Sequence, residues 1–308
     1  MTSGKSRLAA RIRNREFTVA PGVYEMISAR IADGMGFDAI YMTGYGAVAS
    51  HLGLADAGLA SYRDMVGRAG QIAAGTQTPL IADADTGYGG PLNVRQTVRG
   101  YEAAGVAALH IEDQADPKKC GHTPGKHVIP MEDMVTKIKV AVDARESEDF
   151  LIIARTDSRA TYGLDEACRR AEAYAEAGAD ILFVEAMNGI EEIEAVGRRF
   201  DHPLLVNVTD GGITPALSPQ EFKDLGYTLA IYPGTAFSAA AVAIREVYQT
   251  LKRDGSTLNL KIPVLGEMEM HEMMGFPDVW DFEEKWGLGA ARDELQRELE
   301  DKLAKARS

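Results

Sequence analysis

The stretch Tyr101-Glu102-Ala103-Ala104-Gly105-Val106-Ala107-Ala108-Leu109-His110-Ile111-Glu112-Asp113 leaves an amphipathic helix through a glycine, enters an apolar run, and stops at two acids. Tyr174-Ala175-Glu176-Ala177-Gly178-Ala179-Asp180-Ile181-Leu182-Phe183-Val184-Glu185-Ala186 is a second copy of the same helix–glycine–strand unit. In both, the glycine sits where a helix takes a left-handed C-cap before the chain extends. Gly36 and Gly226 hold the same place in two further units. Outward from these copies, β-branched runs alternate with helical patterns. The strand candidates are Phe17–Ala20, Ala39–Thr43, Pro79–Asp85, Ala108–Glu112, Phe150–Thr156, Ile181–Glu185, Pro203–Val208 and Leu229–Tyr232. Between them apolar residues recur at helical spacing, as in Leu164, Ala167, Cys168, Ala171 and Tyr174. About eight strand–helix units in roughly 250 residues predict a closed (β/α)8 barrel, an α/β TIM barrel. A doubly wound sheet with a second domain is the structural alternative. No stretch between Phe17 and Leu251 reads as a linker, so a single barrel domain is expected over 1–308, with a C-terminal helical extension from about residue 255.

Composition narrows the function. The chain has 308 residues and a net charge of -13, which argues against nucleic acid and anionic membranes as partners. An anionic substrate stays open, because a local cationic pocket can oppose the global field. The two cysteines are too few for a disulfide framework. Cys168 falls in a helical pattern and reads as a packing residue. No apolar run is long enough to span a bilayer, and Met1–Arg15 lacks the apolar core of a secretory signal. A cytoplasmic location is expected.

The strand candidates end in polar groups: Tyr41 and Thr43, Asp83 and Asp85, Glu112, Arg155 with Asp157, Glu185, and Asn207. In a barrel these C-terminal ends share one mouth, where the active site sits. In Asp83-Ala84-Asp85, alternate residues of a strand share a face, so both carboxylates are expected to point the same way and to need a cation between them. With Glu112 as a third oxygen donor, and Glu185 nearby, the set suits Mg2+ or Mn2+. His122 and His127 lack partners at zinc spacing. A cationic loop, Lys118-Lys119-Cys120-Gly121-His122-Thr123-Pro124-Gly125-Lys126, follows the Glu112 strand. Its glycines predict a mobile flap with little packing, and its cations are expected to favour the Cys120 thiolate. An exposed basic turn with an incidental cysteine is the alternative reading.

Asp83-Ala84-Asp85-Thr86-Gly87-Tyr88-Gly89, Ile111-Glu112-Asp113-Gln114, the Lys-Lys-Cys-Gly-His loop and Ala154-Arg155-Thr156-Asp157 resemble, in order and spacing, the isocitrate lyase/phosphoenolpyruvate mutase superfamily. Within it the chain is similar to the short lyases of the 2-methylisocitrate and 2,3-dimethylmalate type. The resemblance implies a barrel with an exchanged eighth helix, a divalent metal, a gating loop and a homotetramer built as a dimer of dimers. It implies cleavage of a 2-hydroxy dicarboxylate or tricarboxylate into a 2-oxo acid such as pyruvate plus a second carboxylate. That fragment departs as an aci-carboxylate dianion, which cations must stabilise and an acid must protonate.

On this reading Asp83, Asp85 and Glu112 hold the metal. Arg155 meets the developing oxo group, with Lys118, His122 and Glu185 beside it. Cys120 delivers the proton, and Tyr41 and Asp56 are the candidate bases. Thr43, Gly44 and Tyr45 take the oxo acid's carboxylate, while Gly121, Asn207 and Thr209 line the substrate pocket. Thr123 stands where methylisocitrate lyases commonly carry arginine, and Tyr45 is bulkier than the glycine expected there. Both departures favour a smaller substrate, 2,3-dimethylmalate or 2-methylmalate. Oxaloacetate acetylhydrolase and the carboxyphosphonoenolpyruvate and phosphoenolpyruvate phosphonomutases are alternatives on the same fold. A mutase has no carbanion to protonate and little need of Cys120; a non-catalytic binding barrel needs no proton donor at all. Turn signals are expected over Leu251–Leu260, then a Met- and Trp-rich stretch, Ile262–Trp286, and a charged helix over 294–306.

Overall fold

The computed structural model describes residues 3–287 and Arg297. Eight strands close the barrel: β1 (Thr18–Val23), β2 (Ile40–Met42), β3 (Leu80–Asp83), β4 (Ala108–Glu112), β5 (Leu151–Thr156), β6 (Ile181–Val184), β7 (Leu204–Asn207) and β8 (Leu229–Tyr232). Each pairs in parallel with the next, and β8 returns to β1 with Thr18 opposite Leu229. The register sets Asp83 beside His110 and Glu112 beside Arg155, so the polar strand ends form neighbouring rows at one mouth. Gly105 and Gly178 have φ of 89° and 100°, the left-handed cap their sequence context predicts.

Two apolar layers hold the barrel. The outer one lies between sheet and helices and includes Ile40, Leu80, Val98, Tyr101, Ile152 and Tyr174. The inner one fills the barrel with Ile81, Leu151, Ile153, Phe183, Leu205 and Ile231. The helix Gly4–Arg13 presents Leu8, Ala9 and Ile12 to this inner layer. Arg7 donates to the Gln77 carbonyl and Arg11 to that of Phe17, both at strand starts, so this helix plugs the end opposite the mouth. Burying a Leu or Ile side chain is worth about 1.5–3 kcal/mol. The basic N-terminal stretch, read from sequence only as lacking a secretory signal, is therefore a structural plug.

Three local readings need correction. β3 ends at Asp83, and Asp85 lies beyond it with a φ of 48°. The Asp85 N–H donates to Asp83 Oδ1 at 2.9 Å, a side-chain turn that pulls the chain out of the strand. The two aspartates therefore do not alternate on one strand face. β1 runs on to Val23, past Pro21. The helix Thr235–Asp254 continues through the expected turn at Leu251 and stops at Gly255, whose φ is 65°.

Met1–Arg245 form one compact unit and the residues from Glu246 a second. The second contains the helices Glu267–Met274 and Phe276–Lys285, joined at Gly275 with a φ of 89°. Of the charged helix expected over 294–306, only Arg297 lies within the described residues.

Candidate active site

The mouth of the barrel opens into a pocket of about 270 Å³. Its lining brings together Tyr41, Thr43, Gly44, Tyr45, Asp56, Asp83, Lys118, Cys120, Gly121, His122, Arg155, Glu185, Asn207 and Thr209. Asp85 instead faces an adjacent cavity across Lys118. Glu112 is buried behind, with Oε2 3.3 Å from Arg155 Nη1.

Thr43 caps the helix Gly44–Leu52, its Oγ accepting from the Gly46 N–H. This puts a helix N-terminus at the pocket, where free N–H groups favour an anion. A Cβ at Gly44 would collide with Asp83 Oδ2, so only glycine allows this approach.

Tyr41 rests on His110, OH to Nε2 2.8 Å, and His110 Nε2 lies 3.5 Å from Asp83 Oδ1. Burial pushes the His110 imidazole down to about 4, against the pull of Asp83, so it is neutral at neutral pH. Its Nδ1 is buried without a partner. A bare ring nitrogen is cheaper to bury than an N–H, so we assign the proton to Nε2. Burial likewise holds the Tyr41 phenol well above its ordinary value.

Lys118 is buried between Asp56 and Asp85, 2.5 Å from Asp85 Oδ1. Burial opposes its charge, but Asp85, Glu112, Asp83 and Asp56 outweigh it. Carboxylates outnumber cations in this region: Asp56, Asp83, Asp85, Glu112, Asp157 and Glu185 face Lys118, Lys126 and Arg155. Against burial, neighbouring cations hold Asp83 and Asp157 below the usual carboxylate range. Burial pushes Asp85 up to about 7 and Glu112 well above its usual range. Glu112 Oε1 is buried with no hydrogen-bond partner. Oxygen donors with surplus negative charge and an orphaned carboxylate oxygen fit a hard divalent cation. Among the described residues no three His, Cys, Asp or Glu side chains are placed to hold a metal ion together. Mg2+ retains several waters and needs only one or two carboxylates, so such a site suits it.

Arg155 is fixed on both sides. Asp157 Oδ2 accepts from Nε at 2.8 Å and Oδ1 from Nη2 at 3.1 Å, and the guanidinium lies 5.2 Å from the Phe183 ring centroid. Burial opposes the arginine's charge, and Asp157, Glu112 and Glu185 keep it.

The flap closes over this floor through hydrogen bonds rather than apolar packing. The Gln114 side chain donates to the Lys119 carbonyl and accepts the Lys119 N–H, at 2.8 and 3.0 Å. The Cys120 N–H donates to the Asp56 carbonyl. The expectation of little packing fails at the ends of the flap, where Lys118 and Lys126 are 3% and 5% exposed, and holds at 119 and 123–125, which lie at the surface. The expected thiolate is also corrected. Burial pushes the Cys120 thiol above its ordinary value, and the acids Asp56 and Glu185 add to this. Lys118 pairs with Asp56 and Asp85. Iodoacetamide should therefore alkylate Cys120 slowly at pH 7 and faster as pH rises past 9, followed by peptide mass spectrometry; fast labelling at pH 7 would contradict a protonated thiol.

His122 Nε2 meets Glu185 Oε1 at 3.2 Å, Thr209 Oγ at 3.2 Å and Asn207 Nδ2 at 3.3 Å. Thr123 turns back, its Oγ donating to the Cys120 carbonyl, and brings no cation to the pocket. Tyr45 packs edge-on against Phe237, with ring centroids 5.7 Å apart. Sequence reasoning missed His110, Phe237 and Lys126. His110 had a signal, since it lies two residues before Glu112 and shares its face. Phe237 had none.

The phosphoenolpyruvate phosphomutase family matches residues 8–252. The chain is 43% identical over 278 residues to 2,3-dimethylmalate lyase of Eubacterium barkeri, covering 90% of this chain and 96% of that protein. It is 42% identical over 267 residues to 2-methylisocitrate lyase of Aeropyrum pernix, covering 87% and 86%. Oxaloacetate acetylhydrolase in complex with 3,3-difluorooxalacetate superposes with a TM-score of 0.88 at 36% identity, over 92% of this chain and 97% of the other. Phosphonopyruvate hydrolase in complex with oxalate and Mg++ does so with a TM-score of 0.84 at 30% identity, over 92% and 99%.

Proposed function

The chain belongs to the phosphoenolpyruvate mutase/isocitrate lyase superfamily, and we propose that it is a carbon–carbon lyase acting on a small 2-hydroxy dicarboxylate of the 2,3-dimethylmalate or 2-methylmalate type. The observation that carries this reading is the placement of Cys120 by the flap over a pocket that also contains Arg155 and Glu185, where burial favours the thiol over the thiolate. A lyase must protonate a carbanion; a mutase need not.

Asp83, Asp85 and Glu112 would hold Mg2+ or Mn2+, which when bound supplies Lewis-acid stabilisation to the 2-oxo acid's oxygens. The helix N-terminus at Thr43, Gly44 and Tyr45 binds that fragment's carboxylate. Burial leaves Tyr41 a poor base, so it donates its hydroxyl hydrogen bond, and Asp56 takes the substrate's hydroxyl proton. As the C–C bond breaks, the carbinol carbon becomes the oxo carbon beside Arg155. The bond's electron pair passes to the other fragment, onto the carbon α to its carboxylate, where Lys118 and Arg155 offset the charge. Cys120 gives its proton to that fragment's α-carbon, and the proton held by Asp56 restores the thiol. Asn207, Thr209 and His122 orient the distal carboxylate with Gly121, and Glu185 orients His122 in turn. The aromatic wall of Tyr45 and Phe237 and the absence of a cation at Thr123 support a compact, methyl-bearing substrate over a tricarboxylate.

Within the chain's own exposed surface, Met268, Phe276, Val279, Phe282 and Trp286 form an apolar set that needs a cover. This supports exchange of the C-terminal helices between subunits in a homotetramer. No helix among the described residues is long and apolar enough to cross a membrane.

A coupled pyruvate assay over dimethylmalate, methylmalate and methylisocitrate, with glyoxylate from isocitrate and oxaloacetate hydrolysis followed separately, tests the reading. We expect pyruvate from dimethylmalate or methylmalate at the highest kcat/KM. Turnover of oxaloacetate alone would make the chain a hydrolase.

A further inference from the structure

Behind Arg155 lies a buried polar network outside the reaction chemistry. Asp157, one residue past β5, is fully buried. Its N–H donates to Asp113 Oδ1 at 2.8 Å. Asp113 Oδ2 accepts from Thr156, Tyr174 and Arg170, at 2.7, 2.8 and 3.1 Å. The Asp157 backbone is therefore rigidly set by the barrel and the helix Leu164–Glu176. Its carboxylate holds Arg155 through Nε and Nη2, and Oδ1 accepts a further charged donor, Lys126 Nζ, at 2.8 Å. Lys126 is the last residue of the flap. The same ammonium donates to the carbonyl of Gly121, beside Cys120. A second observation ties Gly121 to the same spot: a Cβ there would strike Arg155 Nη2 and Glu185 Oε1. The flap's main chain thus packs directly on the guanidinium.

We propose that the Lys126–Asp157 pair is a latch that couples flap closure to the orientation of Arg155, making both side chains positioning residues. When the flap is down, Lys126 spans Gly121 and Asp157, and Asp157 Oδ1 divides between two cations. When it lifts, Gly121 loses its donor and the whole of Asp157 falls to Arg155, which is drawn away from the pocket. The arginine is then set for the developing oxo group only while Cys120 is over the substrate. This keeps bond cleavage from outrunning the proton donor. A misplacement of about 1 Å at a reacting group costs roughly a hundredfold in rate, so the coupling has kinetic weight.

The inference rests on the lyase reading for its rate effect, but its structural half does not. Lys126→Met preserves length and removes the charge, and Lys126→Arg keeps it. In Lys126→Met we expect faster iodoacetamide labelling of Cys120 and faster tryptic cleavage after Lys118 and Lys119, with Tm little changed. We also expect kcat lowered roughly tenfold to a hundredfold with KM less affected. Lys126→Arg should recover part of both. Asp157→Asn combined with Lys126→Met should cost little more than Asp157→Asn alone. Labelling and cleavage rates equal to the parent's in Lys126→Met would overturn the latch. A loosened flap with kcat within twofold of the parent would overturn the coupling to Arg155. A loosened flap in a protein that cleaves none of the substrates would support the latch while removing the lyase reading.

Discussion

Asp85→Ala should lose turnover by roughly a hundredfold to a thousandfold or more, the scale of removing a preorganised charge contact at a reacting site, and should weaken Mg2+ binding measured by calorimetry. Its fold should survive. Asp85 is a carboxyl whose buried form is pushed up to about 7. A folded-state value above the unfolded one means the native protein holds that proton more tightly. Stability from this group is then full below about 4 and is lost as pH rises towards 7. Above pH 7 the charged Asp85 works against folding, so Asp85→Asn, which tolerates the left-handed φ of 48°, should leave Tm at pH 8 equal or higher. Lys118 keeps Asp56 as a partner. Asp83→Ala should be as inactive but less benign, since Asp83 Oδ1 accepts the Asp85 N–H that shapes the turn. Full activity of Asp85→Ala, or undiminished activity in EDTA without added metal, would contradict the metal assignment.

Cys120→Ser should keep the flap down and lose its acid. The Cys120 main chain, not its sulfur, makes the contacts that seat the loop: its N–H on Asp56, and its carbonyl accepting from the Thr123 N–H and hydroxyl. The pocket shape should therefore persist. A serine hydroxyl is a far weaker acid than even a buried thiol, so kcat should fall roughly a hundredfold or more while KM moves little. A parallel rise in KM would indicate lost closure instead. Near-parental kcat would remove Cys120 from the chemistry.

The barrel was legible because its signals are local and repeated. Gly105 and Gly178 announce helix ends, and the acids after Ile111 and Val184 announce strand ends, without reference to the rest of the chain. The polar row at the mouth was legible for the same reason, since topology sends all such ends to one place. What was not legible depends on distance in sequence. The plug formed by Leu8, Ala9 and Ile12 is apolar only on the face that meets the barrel interior, and its neighbours are basic. The protonation of Cys120 was misread because Lys118 and Lys119 are adjacent in sequence, whereas in space Lys118 belongs to Asp56 and Asp85, and Lys119 donates to the Gly125 carbonyl. The turn at Asp85 is set by one side-chain acceptor, which strand periodicity does not register. Lys126 looked like loop charge until Asp157 was placed beside it.

The central claim is that this barrel breaks a carbon–carbon bond and quenches the carbanion with the Cys120 proton. Its most direct measurement is product analysis by NMR and mass spectrometry after dimethylmalate turnover in D2O, in the wild type and in Cys120→Ser. The account predicts pyruvate together with a second carboxylate carrying one solvent deuterium at its α-carbon, formed stereospecifically by the wild type and far more slowly by the variant. A second carboxylate without deuterium, or labelling at the same rate in Cys120→Ser, would contradict it.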